Sequence, residues 1–159
     1  MLKNMKKTGN SLTKTDLSSI EKQIGYSLLK PYKEFLLKYN GGIPDENYID
    51  FNGKKIDVSS DEIKKFYGFG GKTSNDLVHK LNSIGDILPK GMIFIANTHG
   101  GNFFLLSLRQ DSYGEVFYKD HEYEDETPFN PENNLFPESI VKVANSFDEF
   151  LSRLYEFDE

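Results

Sequence analysis

The sequence predicts a single α+β domain, in which a mainly antiparallel sheet of about five or six strands packs against helices from both ends of the chain. Between residues 84 and 122, three apolar runs are separated by glycine-bearing turns, a pattern typical of consecutive antiparallel strands. Apolar residues at helical spacing precede and follow these runs. The 159 residues correspond to about one domain, which is long enough to bury a core without covalent cross-links.

The N-terminal part predicts a helix that follows an unstructured segment. Residues 1–12 look like a flexible arm, so the folded domain is predicted over residues 13–159. The first helix begins near Thr13 or Thr15, because either hydroxyl can accept a hydrogen bond from an unpaired backbone N–H. Gly25 ends this helix, since glycine readily adopts the left-handed conformation beyond a helix C-terminus.

A second helix and a hairpin are predicted next. The helix runs from about Pro31 to Tyr39, because proline suits a first helical position, and Asn40-Gly41-Gly42 stops it. Residues 48–58 are predicted to form a hairpin. Its turn is expected at Asn52-Gly53, since both residues tolerate positive φ.

Residues 60–71 leave two interpretations open, a helical turn containing Ile63 and Phe66, or an edge strand over residues 66–69. The segment Gly68-Phe69-Gly70-Gly71-Lys72-Thr73 is similar to a phosphate-binding loop, but it lacks the four-residue gap of that motif and is interpreted as a flexible loop. Ser74 or Asn75 is predicted to cap a helix that contains four apolar residues, Leu77, Val78, Leu81 and Ile84.

The C-terminal part predicts a loop, a strand and a final helix. Residues 123–138 are acidic and contain three prolines, which indicates a long exposed loop. A short strand is predicted over residues 139–144. Ser146 and Glu149 have the spacing of a capping box, which opens the last helix.

The net charge of −6 is concentrated in the last third of the chain. Residues 1–40 hold eight lysines and three acids, whereas residues 111–138 hold nine acids and one lysine. Such a field disfavours nucleic acid and favours a basic partner. The alternative is that these acids only keep the protein soluble.

Composition limits the possible chemistry. The chain has no cysteine, which excludes disulfides and thiolate metal sites. It shows no secretory signal pattern and no apolar window long enough to cross a membrane, so we expect a cytoplasmic protein. No phosphate-binding, dinucleotide-binding or serine-hydrolase motif is present.

Four sequence segments, in order and at sensible spacing, resemble the SUKH superfamily, in the group that includes the Smi/Knr cell-wall regulators and many bacterial immunity proteins. These segments are Pro31 to Gly42; Leu88-Pro89 leading into Ile93–Ala96 and Gly101-Asn102; Gly114–Tyr118 with Asp120-His121-Glu122; and Ala144–Leu151. Lys30 and Lys119 stand where the family usually has leucine and an aromatic residue. The resemblance implies an antiparallel sheet packed by terminal helices. It also implies, for many bacterial members, an immunity protein that binds a toxin domain, commonly over a nuclease site.

The candidate site is a partner-binding surface, and no catalytic, cofactor or metal residue is predicted. The acids and tyrosines of residues 111–138 suggest contact with a basic toxin domain. Asn102 is added because its amide is able to face a partner, although Gly101-Asn102 also fits a simple turn. The predicted contact residues are Asn102, Tyr113, Asp120, Glu122, Tyr123, Glu124, Asp125 and Glu126. The protein is expected to be a monomer or a weak homodimer, with no nucleic-acid or membrane partner.

Two other functions stay open from the sequence. One is a regulatory scaffold without a toxin partner, which the eukaryotic side of the family suggests. The other is a hydrolase that uses His121 with a carboxylate. In a strand, however, Asp120 and Glu122 share one face and His121 points to the other, and no metal-ligand spacing includes it.

Overall fold

The computed structural model describes residues 1–125 and 136–157, which form a helical layer and a large antiparallel sheet. The helices are α1 (Lys14–Ile24), α2 (Lys30–Lys38), α3 (Leu77–Ile84) and α4 (Phe147–Ser152). The strands are β1 (Met5–Lys6), β2 (Ile43–Pro44), β3 (Tyr48–Gly53), β4 (Val58–Phe66), β5 (Met92–Thr98), β6 (Phe103–Ser107), β7 (Val116–Lys119) and β8 (Ile140–Ala144).

The sheet has a simple topology. Strands β3 to β8 form one antiparallel sheet of six strands, and neighbours in the sheet are also neighbours along the chain. Strands β1 and β2 form a small ribbon beside it, which joins the large sheet where Gly42 pairs with Phe66. The predicted α+β fold, with an antiparallel sheet and helices from both ends of the chain, is confirmed.

The sheet curves until its two edge strands, β3 and β8, lie close to each other. The ring of Phe51 in β3 packs against that of Tyr118 in β7, with 4.8 Å between the centroids. Arg153, which follows α4, donates hydrogen bonds to the Val143 carbonyl of β8, at 2.6 Å, and to the Asp50 carbonyl of β3. One guanidinium therefore connects both edges of the sheet.

Aromatic residues of α2 and α4 fill the space inside the curved sheet. Phe35 of α2 contacts Phe147 of α4 with 5.2 Å between ring centroids, and it contacts Phe66 of β4 at 5.1 Å. Phe150 lies 5.4 Å from the Phe104 ring of β6. Edge-on and tilted ring contacts of this kind add to the stability gained by burying their area. The helices from the two ends of the chain thus share one core.

The caps of the terminal helices agree largely with the sequence. Thr13 caps α1, and Gly25 ends it with φ at 81°. The Ser146 hydroxyl accepts a hydrogen bond from the Glu149 amide at 3.0 Å. The Glu149 carboxylate accepts from the Asn145 amide instead of the Ser146 amide, so only half of the predicted capping box forms.

Three local predictions are wrong. Strand β3 continues through Gly53, whose φ is −106°, and the hairpin reverses in the 3-10 turn Lys54–Ile56, after which Asp57 adopts φ of 58°. Ile63 and Phe66 belong to β4, not to a helical turn, and both side chains are buried, with Phe66 packed against Phe35 of α2 and Phe150 of α4. Asp76 caps α3, accepting from the Val78 and His79 amides.

The N-terminal segment makes contacts that the sequence did not predict. Met5 of β1 pairs with Pro44 of β2, and the Leu2 amide donates to the Leu151 carbonyl at 3.2 Å. A two-residue strand has too few positions to show a periodic pattern, so the sequence carries no signal for it. In the two described ranges, no helix has the length and apolar character needed to span a bilayer.

Candidate functional site

One end of the sheet brings together two of the candidate segments. The turn between β5 and β6 ends at Asn102, and β6 then pairs with β7 so that Phe103 lies opposite Lys119. Asn102 therefore meets the segment that follows β7, beginning at Asp120. We call this region the β5–β6 end.

A continuous chain of hydrogen bonds organises the β5–β6 end. The His121 amide donates to Asn102 Oδ1 at 2.9 Å, and His121 Nδ1 lies 2.7 Å from the same oxygen. Asn102 Nδ2 donates to the Tyr118 hydroxyl at 2.6 Å. That hydroxyl in turn donates to Asp61 Oδ2 at 2.5 Å. The chain connects the β5–β6 turn, β7 and β4, so it holds three separate segments in one arrangement.

The electrostatic environment of Tyr118 keeps its hydroxyl protonated. Burial, followed by the hydrogen bond to Asp61, raises the pKa of Tyr118 well above its ordinary value of 10. The phenol therefore stays protonated at neutral pH and acts as a hydrogen-bond donor, not as a base. Asp61, which accepts the hydrogen bond from the Tyr118 hydroxyl, is half-buried at the β5–β6 end.

Carboxylates from two distant parts of the chain belong to the segments that this network joins. Asp61 and Glu62 come from β4, and Asp120, Glu122 and Glu124 come from the segment after β7. The Glu62 carboxylate accepts hydrogen bonds from the Asn47 side-chain amide at 2.9 Å and from the Tyr48 hydroxyl at 3.0 Å. His99 Nε2 lies 3.3 Å from Glu62 Oε1. We call this group of five carboxylates the acidic face. Glu122 is an exposed member, whose side chain is 82% exposed and lies 3.7 Å from His121 Nε2.

Asp61 and Glu62 are the part of the acidic face that the sequence did not predict. From the sequence, residues 60–71 stay open between a helical turn and an edge strand, so nothing indicates which strand the two acids join. The signal was present in β4, where buried Ile63 and Phe66 occupy a nine-residue extended run. Recognising that run as a strand would have given the extended backbone of the two acids, but not the register that brings them beside the β5–β6 turn.

Other predicted contact residues lie elsewhere or face inward. Tyr113 sits in the turn between β6 and β7, at the opposite end of these strands, and its hydroxyl donates to the Ser27 carbonyl at 2.9 Å. Seven residue steps separate it from Asp120, which is on the order of 20 Å along an extended chain. The structure therefore does not bring Tyr113 to the acidic face.

The residues after Glu122 divide between surface and interior. Glu124 is exposed, whereas Tyr123 is half-buried and packs against the core. Asp125 accepts from the Ser139 amide at 2.7 Å and so ties this segment to the start of β8. Glu126 lies outside the described residues.

Lys119 and Asn102 also have structural partners. The Lys119 ammonium is buried and donates to the Ser139 hydroxyl at 2.9 Å. Burial lowers the pKa of Lys119, and the nearby Asp125 and Asp120 oppose that shift. Both ends of the Asn102 side-chain amide are hydrogen-bonded within the network. Its role is therefore to fix the position of the β5–β6 turn.

The site offers no evident arrangement for hydrolysis. His121 is held by Asn102, and its ring faces Gly101, whose φ is 87°. Within residues 1–125 and 136–157, no cluster of three or more histidine, aspartate or glutamate side chains has the arrangement of a metal site. The geometry favours a fixed charged surface over a reaction centre.

Comparison with known proteins identifies the family. The model of the SMI1/KNR4 family (SUKH-1) matches residues 11–153. The chain belongs to this family. A relative from Bacillus subtilis (strain 168), an SPbeta prophage-derived uncharacterized protein named YokK, is 28% identical over 157 residues, covering 91% of this chain and 75% of the relative. The resemblance stated from the sequence is thus confirmed.

In this SMI1/KNR4 family member, two of the four resemblance segments meet directly. Asn102 belongs to the central segment and His121 to the third one, and the hydrogen bonds between them join the two. The segments are far enough apart in sequence that their contact was not predictable from spacing alone. Their meeting makes the β5–β6 end the candidate site of the chain.

Proposed function

We propose that this SMI1/KNR4 family protein is a non-enzymatic binding domain, an immunity protein that uses its acidic face to bind a basic toxin domain. The observation that carries the proposal is that hydrogen bonds through Tyr118 and Asn102 bring the segment of Asp61 and Glu62 close to the segment of Asp120, Glu122 and Glu124. Family membership supports a role in toxin immunity, and the charge gives the class of partner.

The charge pattern favours a partner that binds nucleic acid. A nuclease domain needs a basic surface to hold phosphates, so an acidic face competes for the same surface. Like-charge repulsion keeps nucleic acid away from the acidic face, and long-range attraction accelerates encounter with a basic protein. The proposal places the protein in the cytoplasm, where a nuclease toxin meets its substrate.

The hydrogen-bond network supports the same conclusion. Tyr118, Asn102 and Asp61 hold the β5–β6 turn and the neighbouring strands together before any partner arrives. A surface that is already ordered loses less conformational entropy on binding, which favours affinity. The acidic face thus combines charge with a fixed backbone.

Charge reversal tests this surface. The variant Glu122→Lys with Glu124→Lys changes two exposed side chains of the acidic face. The control, Glu34→Lys with Asp86→Lys, makes the same change in charge at exposed positions in α2 and after α3. Both are compared with the unmodified protein for association with the toxin domain encoded by the neighbouring gene.

The expected result is a lower association rate for the acidic-face variant, by about tenfold or more at low salt, because steering depends on local charge. The difference should shrink at about 0.5 M salt, where the Debye length falls to a few ångströms. Equal affinity and equal salt dependence for the two variants would contradict the assignment of the surface. Absence of binding by the unmodified protein would contradict the immunity function itself.

A further inference from the structure

A second polar region lies apart from the acidic face, in a cleft beside the small ribbon. The cleft is formed by the turn after β1, residues 40–43, the end of β4 and the loop over residues 68–75. Its volume is about 360 Å³, within the range of small-molecule sites. Lys7, Lys65 and Lys72 line it, and no aspartate or glutamate is among its lining residues in the described chain. We call it the cationic cleft.

Asn40 fixes the walls of the cationic cleft. Its Nδ2 donates to the Asn10 carbonyl at 2.8 Å and to the Phe69 carbonyl at 2.9 Å, and its Oδ1 accepts from the Phe69 amide at 2.7 Å. Asn40 is buried, so one side chain holds the N-terminal segment and the loop after β4 in place. The cleft therefore exists before any ligand binds.

Glycines give the cleft main-chain walls. A Cβ on Gly68 would lie 2.3 Å from Asn40 Oδ1, and a Cβ on Gly41, whose φ is 72°, would lie 2.9 Å from the Gly68 nitrogen. Both positions therefore require glycine. Gly71 also lines the cleft, and the space where its Cβ would lie is open, so a ligand is able to approach the backbone there.

Among the described residues, no carboxylate lines the cleft beside its three lysines. The Lys65 ammonium donates to the Ser74 carbonyl at 3.0 Å and to Asn75 Oδ1 at 2.5 Å, both of which are uncharged acceptors. Burial lowers the pKa of Lys65, and repulsion from Lys64 and Lys80 adds to the shift. A bound anion would relieve that repulsion.

Asp76 and Lys7, beside the cationic cleft, also favour an anionic ligand. The carboxylate of Asp76 accepts from the Gly70, Val78 and His79 amides and is thereby directed to the backbone. Lys7 adopts φ of 52°, a conformation rare for lysine, within the turn that contributes it to the cleft. Uncommon backbone conformations of this kind concentrate at ligand sites.

We infer that the cationic cleft binds a phosphate-bearing small molecule, whose phosphate oxygens are held by Lys7, Lys65 and Lys72. Compact ammonium groups are common phosphate ligands, and glycine walls let the anion reach the main chain. The loop that contributes Lys72 is the one whose glycines are similar to a phosphate-binding loop. Its geometry differs from that of a phosphate-binding loop, because Lys72 is followed by the three-residue 3-10 helix Thr73–Asn75 and not by an α-helix.

Titration calorimetry on the full chain tests the inference with three probes, inorganic phosphate, pyrophosphate and ADP. The variant Lys65→Gln with Lys72→Gln removes two of the cleft's charges. The matched control, Lys54→Gln with Lys55→Gln, removes two exposed charges from the β3–β4 hairpin. This hairpin is separated from Lys65 by the length of β4, on the order of 20 Å. Circular dichroism of both variants establishes that they fold.

The expected result is saturable one-to-one binding of at least one probe, weakened by about tenfold or more in the cleft variant and unchanged in the control. Preference for inorganic phosphate would identify a single phosphate group as the ligand, and preference for ADP would identify a nucleotide. Absence of saturable binding, or equal loss in both variants, would overturn the inference. Tighter binding of a hexaglutamate peptide than of every phosphate would also overturn it, in favour of an acidic protein segment.

Discussion

Replacing Tyr118 by phenylalanine tests the hydrogen-bond network directly. The change removes one hydroxyl, which donates to Asp61 at 2.5 Å and accepts from Asn102 at 2.6 Å, and leaves the ring in place against Phe51. The packing of the core is therefore preserved. Any change in stability or binding reports on the two hydrogen bonds.

The two bonds differ in expected strength. A hydrogen bond to a charged carboxylate contributes about 1.5–3 kcal/mol and a neutral one about 1 kcal/mol. Asp61 and Asn102 are only half-buried, so water replaces part of what is lost. We therefore expect the free energy of unfolding to fall by about 2 kcal/mol, which for a chain of this length lowers the Tm by about 4–8 °C.

Urea and thermal unfolding measure this loss, with Tyr113→Phe as the control. The Tyr113 hydroxyl donates one hydrogen bond, to Ser27, and its residue is 49% exposed. Its removal should change the free energy of unfolding by less than about 0.5 kcal/mol. If Tyr118→Phe matched this small value, the proposed role of the network would be refuted.

The pH dependence of the free energy of unfolding provides a second test with the same variant. The pKa of Tyr118 is raised in the folded protein by burial and by Asp61, whereas the unfolded chain ionises near pH 10. The protonated phenol therefore contributes its full stabilisation below pH 10, and this is lost as the pH rises above 10. We expect stability to fall less steeply above pH 10 in Tyr118→Phe than in the unmodified protein. Equal slopes for the two proteins would contradict this assignment.

Two further variants test the core and the closure of the sheet. Tyr32→Phe removes a buried hydroxyl that has no hydrogen-bond partner among the described residues, so we expect unfolding to require about 1 kcal/mol more, measured in urea. A loss of stability would instead reveal a partner for that hydroxyl. Arg153→Met removes the hydrogen bonds to β3 and β8, and we expect a loss of about 2 kcal/mol with faster amide exchange in both edge strands. Lys142→Met, an exposed position on β8, is its control, and equal exchange in the two variants would contradict the bridging role.

Much of the fold was predictable because it rests on local patterns. The strands β5 to β7 are apolar runs between glycine turns, and their order in the sheet follows from short connections. The capping of α1 by Thr13 and Gly25 also follows from side-chain chemistry within one turn. The prediction of a turn at Asn52-Gly53 was wrong because pairing with β4 extends β3 through Gly53. The local turn preference of these two residues carries no information about that pairing.

The candidate site was predictable only where it lies within one segment. The exposed acids after β7 were recognisable from their number, but their companions in β4 join them through sheet register, which single-segment patterns do not reveal. The separation of Tyr113 from this group has the same origin. Position along a strand decides the end of the sheet at which a residue appears, and sequence proximity does not.

Arg153 has a consequence for how this protein meets other proteins. The unpaired backbone groups of an outer strand invite a foreign strand to add to it, a common route to both complex formation and aggregation. Here the Asp50 and Val143 carbonyls are occupied by the guanidinium, and Tyr48 pairs with Tyr155 through their main chains. In the proposed function, recognition therefore falls to side chains at the strand ends, where substitutions change the surface and leave the packing of the core in place.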